Sequence, residues 1–292
     1  MNMQVSRRMT GVVAFGCALP MILSAQAPES KPAAPSGPKI QWQETPGSGK
    51  LGAQAEIKLP EGYLFTGGEG TRKFLEITEN IPSGEEQGMF IPKPQEGKDR
   101  QNWFVIFEYK AVGYVKDEEK DKLDADALLK SLQEGTEHAN EDRKKRGWPT
   151  LQIVSWSKAP FYDPKTHNLT WGTLLKDSNG QESINYTTRM LGRGGYMQVD
   201  LVTGTKDFDA VVADYEKAMA GFAFVQGQRY AEFKKGDKIA AIGLTALVAG
   251  GAGAVLAKSG LLGKLWKFIV VGIGAVVTWF KRLFGKKDNS NG

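Results

Sequence analysis

Few side chains in this chain are of a type and spacing that could do chemistry, and two arginines lead them. In INYTTRMLGRGGYMQVDLV, Arg189 and Arg193 bracket a short apolar pair and run into Gly194 and Gly195. Glycines let backbone amides approach an anion while a guanidinium pairs with it, so this segment, with Tyr186 just upstream, is a candidate anion or interaction site. The plainer reading is a turn whose arginines are paired inside the fold. No GxxxxGKS/T or GxGxxG pattern accompanies it, so nothing points to a nucleotide.

The histidines offer little more. There are two, His138 and His167, and neither lies in HExxH. Glu134, His138 and Glu141 recur at helical spacing, but Leu128, Leu132 and Ala139 occupy the opposite side of the same wheel. A solvated polar face accounts for the acidic and histidine residues, with a contact surface as the functional alternative; no metal is expected there. His167, in FYDPKTHNLTW, reads as a turn residue after Asp163 and Pro164. Ser155 and Ser157 lack the GxSxG setting of a nucleophile. An enzyme would therefore need Asp117, Glu108, His138 or the two arginines to converge in one concave site. The single cysteine, Cys17, lies in the N-terminal apolar run, so no disulfide framework, thiolate metal site or cofactor is expected.

The elements that must carry these residues read as one α+β domain over residues 51–238, a central β-sheet with packed helices. Ala53 to Leu59 alternates like a half-buried strand, and NWFVIFEY, from Asn102 to Tyr109, has the aromatic and β-branched content of a central one. Further strands are expected at Leu151 to Trp156 and Gly195 to Val202. Between them the period becomes helical, with Asp124 as cap and Gly147 as stop, and a second helix is predicted from Phe208 to Ala220. Residues 28–50 hold five Pro and three Gly and read as a linker.

Charge and hydropathy place the chain. Residues 28–238 hold 29 basic and 32 acidic side chains, so the net charge of +5 comes from the two ends, and nucleic acid is not an expected partner. Residues 1–27 pair Arg7 and Arg8 with an apolar run and end in small residues, the pattern of a secretory signal, with a retained anchor as the alternative. Residues 239–257, IAAIGLTALVAGGAGAVLA, carry no charge over nineteen positions and read as a transmembrane helix. A basic connector, 258–267, leads to a second apolar run, 268–280, either spanning or re-entrant, and then to a basic polar tail, 281–292. Ala246, Gly250 and Ala254 form a small-residue stripe suited to helix packing or self-association. The expected location is the bacterial inner membrane, single-pass or two-pass, with the main domain in the periplasm and membrane lipid as one partner.

Several segments together resemble a known family. VIFEYKAVGYVKDEEKDKLDADALL, HANEDRKKRG, APFYDPKTHNLTW, INYTTRMLGRGGYMQVDLV and GQRYAEFKKGDKIAAIGLTALVAGG are similar to DUF2167, a family of uncharacterised membrane-anchored bacterial proteins. The resemblance implies a secreted-side domain tethered through its C-terminus, and it supplies no catalytic residue, substrate or partner. The expectation is a binding domain for a protein or envelope component, with a cell-envelope hydrolase or small-anion-binding enzyme as the alternative.

Overall fold

A computed structural model describes residues 40–94 and 103–249. The readings placed on residues 1–27, on Gly250 and Ala254, and on the run 268–280 lie outside the described residues.

An eight-stranded antiparallel sheet organises the fold, in the order β1-β4-β5-β6-β10-β9-β8-β7. Its strands are β1 (Gln43–Glu44), β4 (Tyr63–Gly67), β5 (Glu86–Pro92), β6 (Trp103–Lys110), β7 (Leu151–Asp163), β8 (Asn168–Asp177), β9 (Glu182–Leu191) and β10 (Tyr196–Thr203). A second sheet of three strands, in the order β11-β3-β2, contains β2 (Gly47–Leu51), β3 (Ala55–Leu59) and β11 (Phe222–Phe224). Helices α1 (Gly68–Ile77), α2 (Ala125–Lys145), α3 (Phe208–Met219) and the short α4 (Leu244–Val248) complete the described fold.

Strand alternation divides the core into layers. Trp103, Val105 and Phe107 of β6, with Met197, Val199 and Leu201 of β10, face α3 and the smaller sheet, meeting Val211, Tyr215, Leu51 and Ile57. On the other face Phe104, Ile106 and Val202 pack on Phe74 and Leu75 of α1. Farther along that face Trp171, Leu191 and Tyr196 pack on Leu128 and Leu132 of α2. Both faces of β6 and β10 are covered, which is why the two strands are buried almost throughout.

The α2 boundaries follow local chemistry. Asp124 accepts the Ala127 amide at the N-terminus, and Gly147 takes a left-handed φ of 69° just past the C-terminus. The buried Asn140 side chain then ties the helix to β7, donating to the Leu151 carbonyl and accepting its amide, each at 2.8 Å.

Two boundaries differ from expectation. Residues 43–51, inside the stretch set apart as linker, form β1 and β2. Gly49 looks like linker composition but is required by packing, since a Cβ there would fall 2.4 Å from the Phe65 ring. The span expected from residue 239 also begins differently. Ile239 bridges Tyr114, and α4 is a five-residue helix with Leu244, Leu247 and Val248 fully buried against α2 and the sheet. No helix among the described residues is long and apolar enough to cross a membrane. Apolarity at Leu244, Leu247, Val248 and Ala249 serves a protein core.

Candidate functional site

The singled-out residues go to different places. Tyr186, on β9, is buried on the α3 face with its ring edge-on to Phe208 and Tyr215, and burial raises the pKa of its hydroxyl. Arg189, three residues along the same strand, faces the opposite way. It is 5% exposed and lies between the Trp171 and Tyr196 rings, its guanidinium carbon 5.2 and 5.0 Å from their centroids. It donates to the Leu247 carbonyl of α4 and, at 3.1 Å, to Gln198 Oε1.

Arg193 lies in the β9–β10 connection. Its Nε and Nη2 donate to the two carboxylate oxygens of Asp237, each at 2.7 Å. That fork holds Asp237 down to about 2. The adjoining glycines serve a close backbone approach: a Cβ on Gly195 would sit 1.9 Å from the Lys110 carbonyl oxygen, and the Gly194 carbonyl accepts from Gly113. His138 is exposed on α2, and Ala246 is half-buried in α4.

Between the α1 and α2 clusters the sheet carries a buried polar strip that the sequence reading missed. Glu108 sits opposite Gln198, which sits opposite Arg189, while Asp200 sits opposite Thr187. Asp200 accepts from Thr187 Oγ1 at 2.6 Å and from Gln198 Nε2 at 2.7 Å. Glu108 pairs with Lys110 at 2.7 Å and accepts from Ser83 at 2.9 Å. Desolvation raises the pKa values of both carboxyl groups despite these partners. The signal was present in the sequence: Glu108 lies in the strand read as central, two residues before Lys110, and Gln198 and Asp200 are spaced by two in another expected strand.

Asp117 belongs to a second cluster, at the turn between β7 and β8. Tyr162 Oη donates to Asp117 Oδ2 at 3.1 Å and lies 3.0 Å from His167 Nδ1. With the single hydroxyl proton on the carboxylate, His167 Nδ1–H is the donor to Tyr162. Burial, then the neighbouring carboxylate, pushes the Tyr162 hydroxyl well above the ordinary phenol range. His167 is indeed a turn residue, with φ 55°, and its ring lies 4.2 Å from that of Tyr230, which stacks on Tyr114 at 4.4 Å. Tyr162 is five residues away, but Asp117 and Tyr230 are remote in sequence, so local spacing could not reveal the cluster.

This cluster borders an open cleft of about 470 Å³. It is lined by Phe222, Ala223 and Phe224 of β11, Lys165 and His167 of the turn, Asn168 of β8 and Met190 of β9. Met219, Arg229 and Tyr230 contribute further to the lining. Two cations and an imidazole face the cleft with no carboxylate among its lining residues. No group of three or more His, Cys, Asp or Glu among the described residues is placed to hold a metal ion.

An α+β domain with an open cleft and a buried polar strip, in which Arg189 Nε is left without a hydrogen-bond partner among the described residues, is the class these features define. Residues 43–281 match the family model described as protein of unknown function (DUF2167), and the chain belongs to that family. No curated protein matches it. Among solved structures, the chain is similar to cyanobacterial PsbP from Synechocystis sp. PCC 6803, at 10% identity and a TM-score of 0.35, over 66% of this chain and 97% of that one. It is also similar to the Ran-binding protein Mog1p of Saccharomyces cerevisiae, at 9% identity and a TM-score of 0.31, over 67% of this chain and all of the other.

Proposed function

We propose that the chain is an exported, membrane-tethered binding domain of the bacterial envelope, not an enzyme, and that the cleft beside β11 receives its partner. The observation that carries this reading is the cleft itself. Its walls are aromatic and methionine side chains, which suit an adaptable contact surface, and its charged lining residues are cationic although residues 28–238 are net acidic. The N-terminal apolar run supplies export in this reading, and the apolar sequence beyond the described residues supplies the tether. Because Ile239 to Ala249 are built into the domain, that tether starts later than residue 239.

The test is photo-crosslinking in cells, with the probe at the exposed cleft residue Ala223 and, as control, at His138 on the outer face of α2. Ala223 is expected to capture a discrete species that is lost on Arg229→Glu, and His138 is expected not to. Equal capture at both positions, or none at Ala223 with normal abundance, refutes the reading.

A second reading has one observation behind it. Asp117, Tyr162 and His167 form a relay that orients an imidazole beside the cleft, as a general base requires. Hydrolysis of an envelope substrate that disappears in His167→Gln, with partner capture unchanged, would favour the enzyme.

A further inference from the structure

The three-residue strand β11 lies at the edge of its sheet and pairs only with β3. In an antiparallel pair, alternate residues direct their N–H and C=O groups to the neighbouring strand, and the residues between direct theirs outward. The Lys58 amide donates to the Gly221 carbonyl and the Val225 amide to the Gln54 carbonyl, each at 2.9 Å. Residues 221, 223 and 225 therefore face β3, so Phe222 and Phe224 present their backbone groups to the open edge. Among the described residues these outward groups have no hydrogen-bond partner. All three residues of β11 line the cleft.

From this geometry we infer that the cleft takes an extended peptide segment of a partner protein as an added strand on β11, and that the segment carries acidic side chains. The inference rests on the binding reading above and names its ligand. Two outward residues offer two donors and two acceptors, enough to set the register of a short strand. The preference for acid comes from Lys165 and Arg229 among the lining residues. Glu232, close to Arg229 in sequence, accepts the Gly227 amide at 2.7 Å and the Arg229 amide at 2.9 Å and is not among the lining residues. The long edge strand β7 is broken by three register shifts and carries Lys158 and Pro160, devices that discourage strand addition.

The test uses the full chain in mild detergent and capped synthetic peptides of alternating Val and Glu, with Val and Lys as the control sequence. The Val-Glu peptide is expected to bind and to slow hydrogen exchange at the Phe222 and Phe224 amides. N-methylation of alternate residues is expected to abolish binding in one phase and spare it in the other. The double reversal Lys165→Glu with Arg229→Glu should weaken the acidic peptide by about fivefold or more, taking each rim charge at its usual worth. Equal affinity for the two sequences, insensitivity to both N-methyl phases, or no binding of the acidic peptide at about 1 mM overturns the inference. Crosslinking at Ala223 reports any occupant of the cleft, whereas the peptide reports only an acidic strand. A captured partner without peptide binding therefore overturns this inference and leaves the binding reading standing, and loss of capture overturns both.

Discussion

Replacing Leu247 with Ala tests whether the apolar segment after residue 239 is domain core or membrane anchor. Leu247 is 0% exposed, in a cluster with Leu132, Trp171 and Tyr196, and its carbonyl accepts from Arg189. Truncating a fully buried leucine removes its transfer free energy and leaves a cavity, at a cost of about 2–5 kcal/mol. For a domain of roughly 200 residues each kcal/mol lowers the melting temperature by about 2–4 °C, so a loss of about 3 kcal/mol means a drop of about 6–12 °C. The assay is thermal unfolding of the full chain in mild detergent, followed by near-ultraviolet circular dichroism, which reads the packing of the domain's aromatic residues. A leucine in lipid would leave that transition where it was. A shift under about 1 °C, corresponding to well under 1 kcal/mol, would refute the placement of α4 in the core.

Other outcomes follow from single contacts. Arg189→Lys keeps the charge but loses the planar fork and the ring stacking, and should cost about 1–3 kcal/mol while speeding hydrogen exchange in α4. Asp237 is held at about 2 against an ordinary 3.8, so its ion pair with Arg193 stabilises the fold above pH 3.8 and that contribution is lost as pH falls through about 2; the gap in denaturation midpoint between wild type and Asp237→Asn should close over that window. Asp200 has the opposite sign, since its raised pKa favours the fold below pH 3.8 and this advantage is lost as pH rises through the folded-state value; Asp200→Asn should flatten that decline in midpoints taken upward from pH 3. Gly195→Ala should prevent soluble expression, because its Cβ would meet the Lys110 carbonyl, whereas Gly194→Ala, 3.2 Å from a tyrosine hydroxyl, should fold.

Much of the frame was legible where local pattern and tertiary role agree. β3, β6, β10, α2 and α3 lie close to their expected positions because alternation, helical period and the Asp124 cap are properties of short stretches. The sequence is ambiguous where one composition serves two purposes. Glycines at 47 and 49 suit a linker, and at 49 they equally suit a strand under an aromatic ring. An uncharged apolar run suits lipid and equally suits a gap between α2 and a sheet. The site was less legible. Arg189 and Arg193 are close in sequence, but one lies within β9 and the other beyond its end, so the strand buries the first among aromatic rings and leaves the second to Asp237. The turn at His167 was legible from Asp163 and Pro164, but its cluster was not, since the group behind Tyr162 is Asp117, forty-five residues away from it.

The position of α4 also bears on how the chain matures. During synthesis the β7 to β10 meander can pair as soon as it is available, because each of its strands neighbours the next. The surfaces of Leu132, Trp171 and Tyr196 wait for Leu244, Leu247 and Val248, which emerge later than every other described element. A nascent chain halted before Leu244 therefore holds the sheet with one apolar face only partly covered by α2, the kind of surface that chaperones bind and that aggregates if left alone. Vectorial delivery makes the last few core residues the step that commits the domain to its native state, and C-terminal truncation a more damaging lesion than its distance from the cleft would suggest.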